Sequence, residues 1–148
     1  MSALDSSLSS SNPLKVSAGV IFTPQRQILV GKRRQWDRGG GLWEFPGGKL
    51  EQEENFLEAL VRELSEELEK TFTNVFPLHE AHYDYPTHSV WIVFFGCPVS
   101  SPWEVKSTAH DEVQWMELSE LSRLEFLQAN QELVKKLPIL LSPFTTTA

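Results

Sequence analysis

Glu63, Glu66 and Glu67 stand at i, i+3 and i+4 in a segment whose apolar residues recur with helical spacing. At roughly 100° per residue, three such carboxylates fall on one face of a helix. Like charges so placed repel, weakening an isolated helix by about 0.2–0.5 kcal/mol per pair. A divalent cation relieves that conflict. An all-oxygen ligand set suits Mg2+ or Mn2+ rather than zinc, which favours His or Cys. A solvated acidic face has the same spacing. Two neighbours favour a site: Arg62, placed to pair with a carboxylate such as Glu54, and the Gly47-Gly48 turn, where the backbone can approach a ligand. That turn is not a phosphate-binding P-loop, because Leu50 stands where the motif needs Ser or Thr and Trp43 where it needs its first Gly.

These residues resemble the Nudix box, in which a Gly, a Glu, an Arg-Glu pair and a Glu-Glu pair recur at set intervals. Gly48, Glu54, Arg62, Glu63, Leu64, Glu66 and Glu67 hold those places. Glu69 stands where the box has a Gly that ends the helix, and Lys70 where it has an aliphatic residue, so the helix is expected to run on or to terminate differently. The resemblance implies an α/β chain with the Nudix fold, an α/β/α sandwich around a mixed sheet. It also implies metal ligation by Glu63, Glu66, Glu67 and the Gly47 carbonyl, and a catalytic set of Glu66, Glu67 and Arg62. Mg2+ is the implied cofactor, with Mn2+ as an alternative. Metal-activated water would attack phosphorus in line.

The resemblance extends over roughly residues 16–137 and is closest to MutT-type members, the 8-oxo-dGTP diphosphatases. Leu42-Trp43-Glu44-Phe45-Pro46-Gly47-Gly48-Lys49 is similar to their lead into the box, Val30-Gly31-Lys32-Arg33 to their first hairpin, and Tyr83-Asp84-Tyr85-Pro86 to their middle. Phe126-Leu127-Gln128-Ala129-Asn130 resembles the stretch that presents an Asn to a purine base. Substrate contacts implied in this way are Arg33, Phe45, Gly48, Lys49 and Asn130. Asn130 is also a good N-cap for the last helix. Many relatives carry a further Glu, as ligand or general base, where this chain has Ala109 before His110; Asp111, Glu112, or Glu66 and Glu67 themselves are the candidates to do its work. Trp36 and Trp43 flank the Gly-rich loop, and each is a candidate either for stacking on a base or for the core.

The expected activity is hydrolysis of a nucleoside triphosphate, foremost 8-oxo-dGTP, to the monophosphate and pyrophosphate. Pyrimidine nucleoside triphosphate and RNA 5′-end pyrophosphohydrolases share the box. A nucleotide-binding module without catalysis is the reading from a different class, and such modules usually lose box carboxylates that are all present here.

Several elements must position these groups. Val16, Ala18, Val20 and Phe22 alternate as a strand; residues 23–27 turn, and Ile28-Leu29-Val30 begins the return. A polar Gly-rich loop covers residues 34–41. The carboxylate helix spans about residues 55–70, with Leu57, Leu60, Val61, Leu64 and Leu68 as its apolar stripe. Strands are expected over residues 79–85, 89–97 and 112–116. Helices are expected after a cap at Ser119 and over residues 130–137. The domain organisation read from this is a disordered Ser-rich leader over residues 1–14, one domain over residues 15–138 and a tail over residues 139–148.

The chain has 148 residues, the size of one domain, with 41% hydrophobic residues and five Trp to build a core. A net charge of −7 argues against a protein that coats nucleic acid, so no stable nucleic-acid complex is expected, while a small nucleotide remains compatible because bound cations reverse the local sign. Its one cysteine, Cys97, excludes a disulfide framework and lies in an apolar run as an inert thiol. No membrane span or signal peptide is legible, and the expected location is cytoplasmic, as a monomer or homodimer.

Overall fold

The computed structural model describes residues 12–146. Seven strands form one sheet: β1 (Leu14–Phe22), β2 (Gln27–Arg33), β3 (Trp43–Glu44), β4 (Gly47–Lys49), β5 (Phe76–Asp84), β6 (Ser89–Pro98) and β7 (His110–Glu117). The sheet is mixed. β1 runs parallel to β6 along its whole length, and the other pairings are antiparallel.

β1 and β2 are joined by a turn in which Arg26 adopts a left-handed φ of 70°, but they pair only at Phe22 and Ile28. Beyond that point they diverge. β4 fills the fork against β1, β3 lies along the same edge of β2, and β7 covers the other edge of β2. The fork thereby holds the Gly47-Gly48 backbone at the centre of the molecule.

Each face of the sheet is covered. On one face, helix α1 (Phe56–Leu68) packs Leu60, Leu64 and Leu68 on Ile21, Leu29, Phe95 and Cys97. On the other, a 3-10 turn (Leu118–Arg123) and helix α2 (Gln128–Leu140) pack Leu121, Leu133 and Leu137 on Val20, Phe22, Val30 and Phe94. This is the α/β/α sandwich. With cover on both sides, β1 is buried at every residue from Ala18 to Phe22, so the alternation in its sequence does not separate a wet face from a dry one. Cys97 is fully buried, and burial pushes its thiol up to about 12.

Four local expectations need correction. The stripe of α1 is narrower than the periodicity predicts: Leu57 and Val61 are about half exposed, and Ala59 takes the buried place beside Leu60. The segment after Ser119 is a 3-10 turn that begins at Leu118 and has no side-chain cap. Helix α2 starts at Gln128 with Leu127 as its N-cap, so Asn130 lies inside the helix and caps nothing. The helix also continues through Pro138 to Leu140. The residues beyond it are held: Phe144 packs on Phe76, and the Thr146 N–H donates to the Pro24 carbonyl at 2.8 Å. Residues 1–11 of the expected leader lie outside the described residues. Among the described residues no helix is long and apolar enough to cross a membrane.

Candidate active site

Helix α1 is anchored at both ends. The Asn55 side chain accepts from the Glu58 N–H at 2.8 Å, while the Glu58 carboxylate accepts from the Asn55 N–H at 2.9 Å, a complete capping box. The buried Ser17 of β1 donates its hydroxyl to the Phe56 carbonyl at 2.6 Å, tying the first turn to the sheet. At the other end the helix stops where the box Gly would stop it. Glu69 itself adopts the left-handed conformation, φ 54° and ψ 41°, and its N–H donates to the Ser65 carbonyl. The missing Gly changes the strain at that position, not the length of the helix.

The box carboxylates share a face but not an environment. Arg62 donates to Glu54 from Nε at 2.7 Å and from Nη2 at 2.9 Å, to the Lys49 carbonyl at 3.0 Å, to Glu63 at 3.1 Å and to Glu66 at 3.3 Å. Glu54, which also accepts from the Glu51 N–H, is drawn down to about 2 by its Arg62 hydrogen bonds. Arg62 is raised in turn, first by its bond to Glu54. The Glu63 carboxylate lies directly over Gly48, where a Cβ would meet its Cδ at 2.3 Å. Gly47 is pressed on β1, where a Cβ would lie 2.0 Å from the Ser17 carbonyl oxygen.

Glu67 differs from both neighbours. It is 8% exposed, its Oε1 is buried without a hydrogen-bond partner, and Oε2 lies 3.6 Å from His110 Nδ1. Burial raises its pKa to about 7, against the pull of His110 and of a hydrogen bond from the Gly47 backbone.

His110 extends the site toward β2 and β3. Its Nε2 is 2.9 Å from Glu44 Oε2, and the Ser107 hydroxyl lies 3.1 Å from Nδ1. The other Glu44 oxygen accepts from Arg33 Nη1 at 3.1 Å, and Arg33 Nε donates to the Arg38 carbonyl at 2.7 Å. Tyr85 is within electrostatic reach of both Arg33 and Glu44, and its hydroxyl accepts from the Ala129 N–H at 3.1 Å, beside Asn130. Tyr85 also borders an open cavity of about 800 Å³ lined by Leu14, Arg38, Asp84, Thr87 and His88. Asn130 is 4% exposed, and among the described residues its side-chain amide has no hydrogen-bond partner.

The other sequence-derived candidates are placed as follows. Phe45 is buried, stacked on Phe126 and edge-on to Phe94, so its ring belongs to the core. Lys49 is exposed. Trp43 is buried in the core, whereas Trp36 is 77% exposed. Neither proposed substitute for the Glu absent at Ala109 reaches the centre: Asp111 accepts from the Gln35 N–H, and Glu112 bonds Gln114. Glu44 and His110 were not among the candidates. The signal was present in the sequence, since His110 directly follows Ala109 and Glu44 lies within the segment leading to the box, but only the fold sets strands β3 and β7 on the two edges of β2, where the side chains meet over Gly31.

An oxygen-only donor set, an unpartnered buried carboxylate oxygen on Glu67 and a carboxylate seated on bare backbone at Gly48 fit a hard divalent cation. The face is not a finished cage: among the described residues no three acidic, His or Cys side chains converge on one point. Arg62 holds Glu63 and Glu66, and Glu67 is turned toward His110. Glu66, 63% exposed, is the carboxylate with most room to turn.

A family model described as NUDIX domain matches residues 13–137. The chain is similar to the 8-oxo-dGTP diphosphatase of Escherichia coli (strain K12), at 28% identity over 126 residues that cover 84% of this chain and 95% of the relative. It is 38% identical over 82 residues to the 8-oxo-dGTP diphosphatase of Proteus vulgaris, covering 55% of this chain and 73% of the relative. In fold it resembles the crystal structure of a MutT protein from Methanosarcina mazei Go1, with a TM-score of 0.76 at 20% identity, covering 86% of this chain and 95% of the other.

Proposed function

Starting from a chain that belongs to the Nudix family, we propose that it is a Mg2+-dependent hydrolase converting a nucleoside triphosphate, foremost 8-oxo-dGTP, to the monophosphate and pyrophosphate. Glu63, Glu66, Glu67 and the Gly47 carbonyl would hold the cation, which when bound supplies charge neutralisation at the phosphates and a more acidic water. A water oxygen bonds to phosphorus as one phosphoanhydride P–O bond breaks, and the water proton passes to a carboxylate.

The remaining roles fall to the chain's own groups. Glu67, buried beside His110 with one carboxylate oxygen unpartnered among the described residues, is the group placed to take that proton. Arg62 keeps Glu54, Glu63 and Glu66 in register. Arg33 offers Nη2, which has no partner among the described residues, to the substrate.

The observation that carries the base assignment is Asn130. Its amide leaves two donors and an acceptor without a protein partner among the described residues, and a purine edge can take up both kinds. The likeness to 8-oxo-dGTP diphosphatases over most of the chain supports the same reading.

The test is product analysis with Mg2+ on 8-oxo-dGTP, dGTP, CTP, dCTP, ADP-ribose and a triphosphorylated short RNA. Preferred release of 8-oxo-dGMP and pyrophosphate is the expected result. Activity confined to a pyrimidine nucleotide or to RNA would discard the purine assignment. Binding of nucleotide with no turnover would discard hydrolysis.

A further inference from the structure

Glu44 links two parts of the molecule that lie on different strands. One of its oxygens accepts from Arg33 Nη1 at 3.1 Å; the other is 2.9 Å from His110 Nε2, and the far side of that ring is 3.6 Å from the Glu67 carboxylate. A carboxylate only accepts, so the ring nitrogen facing Glu44 carries the proton, and Nδ1 faces the Ser107 hydroxyl and Glu67. Hydrogen bonds join Arg33, Glu44 and His110, and the ring stands beside Glu67 at 3.6 Å, so the contacts lead from β2 through β3 and β7 to helix α1. They are shielded from water at their centre: the His110 side chain is 2% exposed and that of Glu44 20%. The register explains why the contact is made. Gly31 of β2 pairs with Glu44 on one side and Val113 on the other, and a Cβ at Gly31 would lie 2.7 Å from the His110 ring, so the bare backbone there makes room for the imidazole.

We propose that Glu44 is a positioning residue for both ends of the site: it sets the Arg33 guanidinium toward the substrate and, through His110, sets the Glu67 carboxylate at the reacting phosphate. The inference rests on the hydrolase reading above. It assigns to this chain a coupling between substrate capture and chemistry that box residues alone do not supply. With Ala109 in place of a further carboxylate, His110 is the polar side chain nearest Glu67 from strand β7. A guanidinium held by two acceptors loses less freedom on binding an anion, and a buried carboxylate walled by a fixed ring has fewer directions in which to turn.

The experiment compares wild type, Glu44→Gln, Arg33→Gln, the double variant and His110→Gln. Three quantities are read: kcat, KM, and affinity for a non-hydrolysable α,β-methylene dGTP analogue in Mg2+, which requires no turnover. Glu44→Gln is expected to weaken analogue binding about tenfold, raise KM and lower kcat about tenfold, as outer contacts to reacting groups commonly do. Arg33→Gln is expected to raise KM chiefly. The double variant should bind the analogue no more weakly than Arg33→Gln alone, because Glu44 acts on binding through that arginine. His110→Gln should lower kcat more than it raises KM, and it tests the Glu67 half of the chain even where Glu44→Gln does not fold. Glu44→Gln matching wild type in all three quantities would overturn the proposal. So would additive losses in the double variant, or a fall in melting temperature with KM and kcat unchanged per folded molecule. A wild-type protein that neither binds nor hydrolyses any nucleotide would sink the hydrolase reading itself, and the positioning role with it.

Discussion

Arg62 clasps Glu54 with two donors, Nε at 2.7 Å and Nη2 at 2.9 Å, and the same guanidinium reaches Glu63 and Glu66 across one turn of α1. Five acceptor atoms surround the one planar fork, and three of them, both Glu54 oxygens and the Lys49 carbonyl, leave little freedom in the loop that precedes the helix. A lysine has one compact donor head and cannot span them. Arg62→Lys is therefore expected to fold and to lose about 10- to 100-fold in kcat, the range seen when residues orienting metal ligands are removed. Steady-state kinetics with circular dichroism on the same sample checks this; near-normal kcat would refute the clasp.

The two glycines of the turn fail in different ways. At Gly48 an added Cβ meets the Glu63 carboxylate, the far end of a flexible side chain, whereas at Gly47 it meets the Ser17 carbonyl and the Ala18 Cα. Gly48→Ala is expected to keep its melting temperature within a few degrees and to lose about tenfold or more in turnover through displacement of Glu63. Gly47→Ala is expected to lower stability by about 2 kcal/mol or more, because backbone must move. Thermal melts paired with activity would separate them, and equal stability losses in both would contradict this account.

Glu67 makes the metal-free protein sensitive to pH. Its folded-state pKa of about 7 lies above the ordinary value of 4.5, so the folded chain holds that proton more tightly than the unfolded chain does. Its contribution is most favourable below pH 4.5 and is lost as pH rises to about 7, a change on the order of 3 kcal/mol. In EDTA, the Glu67→Gln protein is expected to lack this component of the pH dependence. Mg2+ is expected to stabilise wild type most above pH 7, where the bare carboxylate is ionised. Glu67→Gln is also expected to lower turnover by orders of magnitude with the fold retained. Melts in EDTA and in Mg2+ from pH 4.5 to 8 provide the check, and identical curves for wild type and Glu67→Gln would refute the assignment.

Glu69 occupies a left-handed position without the freedom of glycine. Glu69→Gly should relieve a cost of about 1 kcal/mol, partly offset by the greater entropy of the unfolded glycine chain. A melting temperature higher by roughly 2 °C, with activity unchanged, is the expected outcome. A lower one would show that the Glu69 side chain contributes more than its backbone costs.

The elements that follow a repeating pattern were legible from the residues. The helix carrying Glu63, Glu66 and Glu67 follows from its apolar period, and β1 and β6 from their β-rich runs, because those signals are local. The family likeness reached the α/β/α arrangement. What one dimension hides is which strands adjoin. The pairing of β2 with both β3 and β7 brings Glu44 and His110 within 2.9 Å although they are 66 positions apart, and no spacing rule announces that. Burial is equally hidden. Glu66 and Glu67 are neighbours in sequence, yet one points to solvent and the other is buried, and burial raises the pKa of Glu67. Asn130 reads as a cap because its type suits that place; the first turn begins earlier, at Gln128, leaving the amide unused.

The parallel run of β1 against β6 has a consequence for how the chain comes to be made. Leu14 pairs with Val90 and Phe22 with Pro98, so β1 has no partner on that edge until roughly 75 further residues have been made. At about 5–20 residues per second, the central strand of the sheet waits several seconds with its apolar side chains uncovered. In the meantime β1 has only the Phe22–Ile28 pairing with β2 and the short pairing of Val16 to Ala18 with β4. Synthesis must therefore pass beyond the carboxylate helix before the sheet that supports it can close.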